Sequence, residues 1–214
     1  MREVRVFDEG GGGVAVRVLP ASAPGEAHAP AVVVADGPDP RPARVFGLHP
    51  LAPEAALAAA AALGTTSITF ALDGGTVAVH AEPPLLWARS PRAELLGYVQ
   101  PAFAARSLEL SPLDLDGRHL PQGATAGVPV LLVALADAAA LRRARLNVSR
   151  LRELVLRFHP DAVVAFVDGD GRIDARVLAA GEPPAVGVAV AALGAWLAEQ
   201  RCDTDIRVDV GGAA

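Results

Sequence analysis

Two stretches of this chain share one pattern. The segments from Ala31 to Gly64 and from Ala162 to Ala198 each begin with an apolar run and end with an alanine-rich one. Their anchors match at one common offset: Asp36-Gly37 with Asp168-Gly169, and Ala43-Arg44-Val45 with Ala175-Arg176-Val177. Each copy predicts an apolar strand, a turn, a second strand, a proline-containing bend and a helix. Two copies at one offset predict two pseudo-symmetric lobes.

The two alanine-rich segments predict what lies at the centre of each lobe. We expect helices over Pro53–Leu63 and Pro184–Glu199, the first opened by a proline in its first turn and ended by Gly64. Both are apolar on most faces, and a helix of this kind has to be buried on all sides. The prediction is therefore an α+β fold with lobes over residues 1–100 and 101–214. Each lobe is a curled mixed β-sheet around a central apolar helix.

Composition excludes several classes of function. A net charge of −5 and 4% aromatic residues give no electrostatic or stacking surface for nucleic acid. No apolar run reaches the roughly 18 residues of a membrane helix, and the amino terminus lacks an apolar signal segment, so we expect a cytoplasmic protein. All 19 basic residues are arginine, which excludes a lysine Schiff base, pyridoxal attachment and a Walker-type loop. We expect no cofactor. The high hydrophobic content, 52%, suggests a surface covered by a partner.

Four local motifs invite a functional interpretation and have a plainer one. The glycines Gly10–Gly13 suit a hairpin loop, since no helix follows them. His80 and Glu82 lie two apart on one strand face, without a third metal ligand, as a solvent-facing ion pair would. The stretch Asp168–Asp174 lacks the bidentate glutamate of a calcium loop and fits a hairpin turn better. We predict no metal site.

Two further segments complete the prediction along the chain. Five arginines between Arg142 and Arg152 are interpreted as a solvated helix face with local carboxylate partners. Arg92–Tyr98 is predicted as a helical turn. Ser111–Asp116 is predicted as a capped turn, and Asn147 or Ser149 as the cap of a helix that ends near His159.

The second repeat and the segment before it resemble the PhzF-like family of phenazine-biosynthesis isomerases, relatives of diaminopimelate epimerase. Gln122-Gly-Ala-Thr-Ala-Gly-Val-Pro-Val-Leu-Leu-Val133 resembles the family's QxxSTGxPFLLV strand, and Ala175-Arg-Val-Leu its ARMF strand. Glu182-Pro-Pro-Ala-Val-Gly-Val-Ala189 resembles the EDPATGSA signature. In the first half, His49-Pro50 is similar to a GHP element. The resemblance implies two lobes with a site in the cleft between them, and cofactor-free proton transfer on a small acidic metabolite.

The chain departs from the family pattern where the chemistry is expected. The family's Asp, Thr and Ser of EDPATGSA are Pro183, Val186 and Val188 here, and its Glu aligns with Pro30. None of these four residues has a side chain that exchanges a proton near neutral pH. We therefore expect the family's isomerisation to be absent from this polypeptide acting alone.

The remaining acid/base candidates are few. His49, Glu54 and Glu182 are the catalytic candidates. The predicted binding residues are those that the resemblance places around the substrate: Pro30, Pro183, Ala185, Val186, Gly187 and Val188. Two functions stay open. The first is a repurposed biosynthetic enzyme that isomerises, cyclises or eliminates on a small metabolite. The second is a non-catalytic ligand-binding protein or partner subunit, as a homodimer or as a heteromer with another biosynthetic subunit.

Overall fold

Strands and helices follow one another in both halves of the chain in the order that the repeat predicts. The computed structural model describes residues 2–6, 14–20, 31–35, 39–46, 53–72, 75–82, 85–89, 92–153, 159–169, 173–179, 186–201 and 208–210. Contacts divide the chain into two units, Met1–Pro91 and Arg92–Ala214. Each unit is described by itself below.

The first unit holds one mixed sheet and one helix among its described residues. Its strands are β1 (Arg2–Val6), β2 (Val14–Pro20), β3 (Ala31–Val34), β4 (Arg41–Phe46), β5 (Ser67–Leu72), β6 (Gly75–Glu82) and β7 (Leu85–Arg89), and helix α1 (Pro53–Leu63) lies between β4 and β5. The strands lie in the sheet in chain order. The pairs β2–β3 and β4–β5 are parallel, and the other pairs are antiparallel.

Helix α1 is enclosed by its own sheet. It contacts β1, β2, β3, β5, β6 and β7, and the residues from Ala55 to Ala60 are all buried. Gly64 ends the helix with a φ of 64°, and the Thr65 N–H donates to the Ala60 carbonyl at 3.3 Å. This closure suits glycine because the left-handed backbone strains residues that have a Cβ. The predicted bounds of α1 match the observed ones.

The second unit holds a mixed sheet with helices on both faces. Its strands are β8 (Glu94–Tyr98), β9 (Gln122–Thr125), β10 (Pro129–Ala134), β11 (Ala162–Asp168), β12 (Ile173–Ala179) and β13 (Val208–Val210), in the sheet order β13-β12-β11-β10-β9-β8. Its helices are α2 (Pro101–Ser107), α3 (Ala138–Arg143), α4 (Val148–Arg152) and α5 (Val186–Arg201).

Alternation along β10 and β11 builds two cores in the second unit. Side chains at alternate positions point to opposite faces of a sheet. Val130 and Leu132 belong to a cluster with α5, whereas Leu131 and Val133 belong to a cluster with α2, α3 and α4. Both strands are therefore apolar without interruption, as strands buried on both faces are.

The repeat is visible in the pairing of the strands. In the first unit the successive pairs from β1 to β5 are antiparallel, parallel, antiparallel and parallel. The successive pairs from β9 to β13 have the same four senses. In each unit the central helix follows the third antiparallel-paired member of this series, β4 or β12. Two pseudo-symmetric lobes, each a curled mixed sheet around an apolar helix, are thus confirmed as the fold.

Three predicted elements differ from the observed ones. Arg92–Tyr98 was expected to form a helical turn, but Glu94–Tyr98 is strand β8, which pairs with β9. This pairing with a distant segment outweighs the weak local preference for a turn. The helix capped by Asn147 ends at Arg152, well before His159. Helix α5 begins at Val186, and Pro184 lies outside the described residues.

Candidate functional site

The first turn of α5 is the part of the predicted site that the structure describes. Val186 and Gly187 are half-buried there, and the Val188 side chain is fully buried in the core of the second unit. The first four N–H groups of a helix have no partner within it, and they favour an anion in front of them. A ligand at this turn would therefore be held by backbone N–H groups, because the Val188 side chain points into the core.

The remaining candidate residues cannot be positioned. Pro30, His49, Glu182, Pro183 and Ala185 lie outside the described residues. The backbone of Glu54 is in the first turn of α1, where a carboxylate interacts favourably with the helix dipole. The catalytic roles of His49, Glu54 and Glu182 stay predictions.

A buried polar contact holds α5 against the sheet. The Trp196 Nε1–H donates to Gln122 Oε1 at 3.1 Å, and Gln122 Nε2 donates to the Leu96 carbonyl at 3.1 Å. Gln122 is one of two buried polar side chains among the described residues. Because a buried amide without partners is costly, both of its ends being paired joins α5, β9 and β8 in one arrangement.

Aromatic rings surround the same tryptophan. The His119 ring lies edge-on to Trp196 with centroids 5.0 Å apart, and Phe166 does so at 5.2 Å. Both distances are in the range of favourable aromatic pairs. Trp196 therefore connects α5 to the segment before β9 and to β11, and the carboxyl-terminal half of α5 is rigidly seated.

The segment before β9 carries an ion pair beside His119. Arg118 Nη2 lies 2.7 Å from Asp116 Oδ2, and Arg118 Nε contacts both carboxylate oxygens at 3.0 Å. Hydrogen bonds from the Arg118 side chain lower the pKa of Asp116, against a smaller opposing effect of burial. Asp116 is therefore an anion near neutral pH and does not donate a proton there.

Replacing Arg118 with glutamine should destabilise the protein at neutral pH and not at acidic pH. A carboxyl group whose pKa is lowered by folding contributes stability above its unfolded pKa, and that stability is lost as the pH falls through its folded pKa. Urea unfolding of wild type and Arg118→Gln from pH 7 downward should give midpoints that converge on the acid side. A difference that stays constant across this range would contradict the assignment to Asp116.

The plainer interpretations of the local motifs agree with the structure. His80 Nε2 lies 3.9 Å from Glu82 Oε1 on an exposed strand face, and no group of three or more metal-binding side chains occurs among the described residues. Strands β11 and β12 pair as a hairpin, with Asp168 opposite Ile173. In the described part of the chain, no helix is long and apolar enough to cross a membrane.

The basic cluster is only partly neutralised. Arg143 pairs with Asp114 and Arg150 pairs with Glu153, each at 2.7 Å, as the interpretation of a solvated face predicts. Arg145 instead donates to backbone carbonyls of α3.

The Gln122–Trp196 pair is the feature that sequence reasoning missed. Gln122 was noted as the first residue of a motif, without a partner. A signal was present, since a glutamine that begins an apolar strand needs a buried partner for its amide. The sequence could not identify Trp196 as that partner, because the two residues are 74 positions apart.

Taken together, two repeats of a mixed sheet curled around a helix define an α+β fold of the diaminopimelate-epimerase type. No protein-family model matches the sequence, and no curated protein matches it. Solved structures do. A PhzF-family phenazine biosynthesis protein of Bacillus anthracis matches with a TM-score of 0.68 and 17% identity, over 82% of this chain and 68% of that one.

Two further structures show the same relationship. A predicted epimerase of Pseudomonas aeruginosa has a TM-score of 0.65 and 26% identity, over 91% of this chain and 78% of its own. A PhzC/PhzF-type phenazine biosynthesis protein of Clostridium difficile has a TM-score of 0.62 and 14% identity, over 94% of this chain and 81% of its own. The chain is PhzF-like, as the motifs indicate.

Proposed function

We propose that this chain is a divergent PhzF-like protein of specialised small-molecule biosynthesis that acts on a small acidic metabolite without a cofactor. The reaction class is isomerisation, cyclisation or elimination, carried out without the acid/base residues that the resemblance implies. One observation carries the proposal. Val188 is fully exposed to the core and not to solvent, with 0% of its surface accessible, so no hydroxyl replaces the family's serine at this turn.

The first turn of α5 supports an acidic ligand. Its unpaired N–H groups and the positive end of the helix dipole stabilise a carboxylate. Val186 is half-buried there and adds apolar surface where the motif has a threonine. Such a turn orients a substrate and stabilises developing negative charge, which are contributions that need no protonatable side chain. Any proton transfer would fall to His49, Glu54 or Glu182.

A second function is favoured by exposed apolar side chains in the second unit. Tyr98, Leu113 and Leu120 are all more than half exposed. Large apolar side chains at a surface are common where a partner binds. The alternative is therefore a non-catalytic ligand-binding protein or a subunit of a homodimer or heteromer, in the cytoplasm.

Hydrogen exchange at the substrate tests the loss of isomerisation. The purified chain is incubated in D₂O with a family-type acidic substrate, and deuterium at the reacting carbon is measured by mass spectrometry. We expect no incorporation above the buffer rate. A variant with the family's residues restored, Pro30→Glu, Pro183→Asp, Val186→Thr and Val188→Ser, should gain exchange by a factor on the order of 10² or more. Exchange by the wild-type chain alone would overturn the proposal.

The choice between enzyme and partner subunit needs a separate measurement. If the chain is catalytic, His49→Ala or Glu182→Ala should reduce turnover of the metabolite by a factor on the order of 10²–10⁴, with folding unchanged by circular dichroism. If both variants keep full activity, these residues are not the acid/base groups. Activity that appears only after mixing with a co-purifying protein would support the subunit alternative.

A further inference from the structure

Two arginine side chains converge on the carboxyl end of α3. Arg176 Nη1 donates to the carbonyls of Leu141, Ala144 and Arg142 at 2.8, 3.2 and 3.4 Å. Arg145 Nη1 donates to the carbonyls of Arg142 and Ala144 at 3.0 and 3.1 Å. Two guanidinium groups that share the same two acceptor oxygens are necessarily close to each other.

This end of the helix holds more positive charge than it needs. One cation is enough to complement the partial negative charge of a helix carboxyl terminus. Exposed Arg142 adds a third guanidinium at the same end. Burial lowers the pKa of Arg176, and repulsion by Arg145 lowers it further.

The local carboxylates do not neutralise this group. Arg143 and Arg150 have carboxylate partners at 2.7 Å. In contrast, no carboxylate of the described residues forms an ion pair with Arg142, Arg145 or Arg176. Like charges held together without a counter-charge create a positive potential that attracts an anion.

The arginine pair keeps donors available for such an anion. A guanidinium has five N–H donors, and the contacts of Arg145 and Arg176 use Nη1 alone. The edge formed by Nε and Nη2 is the one that binds carboxylate and phosphate oxygens in a bidentate manner. Each Nη1 contact also orients its guanidinium, so less side-chain freedom is lost on binding.

We propose that Arg145 and Arg176 form a binding site for a small oxyanion, a phosphate or carboxylate group, at the carboxyl end of α3. The site is separate from the first turn of α5 and does not depend on the proposed function. Helix capping explains one arginine here, whereas the shared acceptors and the missing counter-charge are what an anion site explains. The ligand would be a phosphorylated or carboxylated metabolite that bridges the two guanidinium groups.

Isothermal titration with inorganic phosphate, and separately with succinate, tests this site at constant ionic strength in chloride buffer. We expect saturable binding of at least one of them by the wild-type chain. Arg145→Gln and Arg176→Gln should each weaken that binding about tenfold or more, as the loss of a charge-assisted hydrogen bond would. Preference for phosphate or for succinate identifies the group that the site takes.

Two matched variants separate a built site from diffuse charge. Arg44→Gln changes the exposed counterpart of Arg176 in the first repeat, and Arg152→Gln changes an exposed arginine on α4. Both make the same change in net charge and should leave binding within about twofold of wild type. Equal weakening in all four variants, or no saturable binding by wild type, would overturn the proposal.

Folding is controlled within the same experiment. Arg176→Gln removes a cap of α3, so its circular dichroism and thermal midpoint are recorded alongside the titration. Arg176→Lys keeps the charge and loses the planar edge that binds oxyanions, and it should also bind more weakly than wild type. Arg176→Lys that binds as well as wild type would contradict bidentate recognition.

Discussion

Replacing Trp196 with alanine is expected to lower the free energy of unfolding by about 3–5 kcal/mol, the range for large aromatic truncations in a core. Only 3% of Trp196 is exposed, and it packs between His119 and Phe166. The substitution also removes the donor to Gln122 Oε1, leaving a buried acceptor unpaired. Urea unfolding followed by far-ultraviolet circular dichroism measures the loss without relying on tryptophan fluorescence.

The chain supplies a matched control, because it has two tryptophans. Trp87 on β7 is 47% exposed, and Trp87→Ala should cost about 1 kcal/mol or less. Trp196→Phe keeps most of the ring volume and removes the hydrogen bond, so its cost should fall between wild type and Trp196→Ala. Equal costs for Trp87→Ala and Trp196→Ala would show that α5 is not anchored through Trp196.

Ala58→Asp in α1 is the second change with a large expected effect. Ala58 is fully buried in the middle of a helix that strands enclose. A carboxylate there has no partner, and aspartate is too short to reach water from the helix centre. We expect a loss of about 4 kcal/mol or more, enough to prevent folding of the first unit. Circular dichroism and urea unfolding measure it.

Two variants keep that test informative if Ala58→Asp does not fold. Leu63→Asp places the same side chain on the same helix at a residue that is 44% exposed, and it should cost only about 1 kcal/mol. Ala58→Ser buries a small hydroxyl that can bond to the preceding turn, so it should cost about 1–3 kcal/mol. If Ala58→Asp were as stable as Leu63→Asp, α1 would not be the enclosed centre of its lobe.

Local patterns predicted the elements whose determinants lie close together in the chain. Helix α1 has its predicted bounds because Pro53 and Gly64 act within one turn of its ends. Asn147 is the observed cap of α4, one of the two caps predicted. The repeat predicted the two lobes because an all-apolar helix can be buried only by wrapping a sheet around it.

Patterns that depend on distant partners were harder to interpret. Strand β8 was expected to be a helical turn, since its residues do not show the strand that β9 pairs with. Predicted binding residue Val188 has its side chain in the core, a direction that depends on where α5 begins. The roles of His49, Glu54 and Glu182 depend on side-chain positions that remain predictions.

The two Ala-Arg-Val anchors show where the sequence stops being sufficient. By itself it determined that Arg44 and Arg176 occupy equivalent strand positions, on β4 and β12. Only the tertiary structure made them different: Arg44 is exposed, whereas Arg176 reaches the carbonyls of α3 beside Arg145. The physical reason is that strand periodicity sets which face a side chain takes, but what covers that face comes from helices more than 30 residues away along the chain.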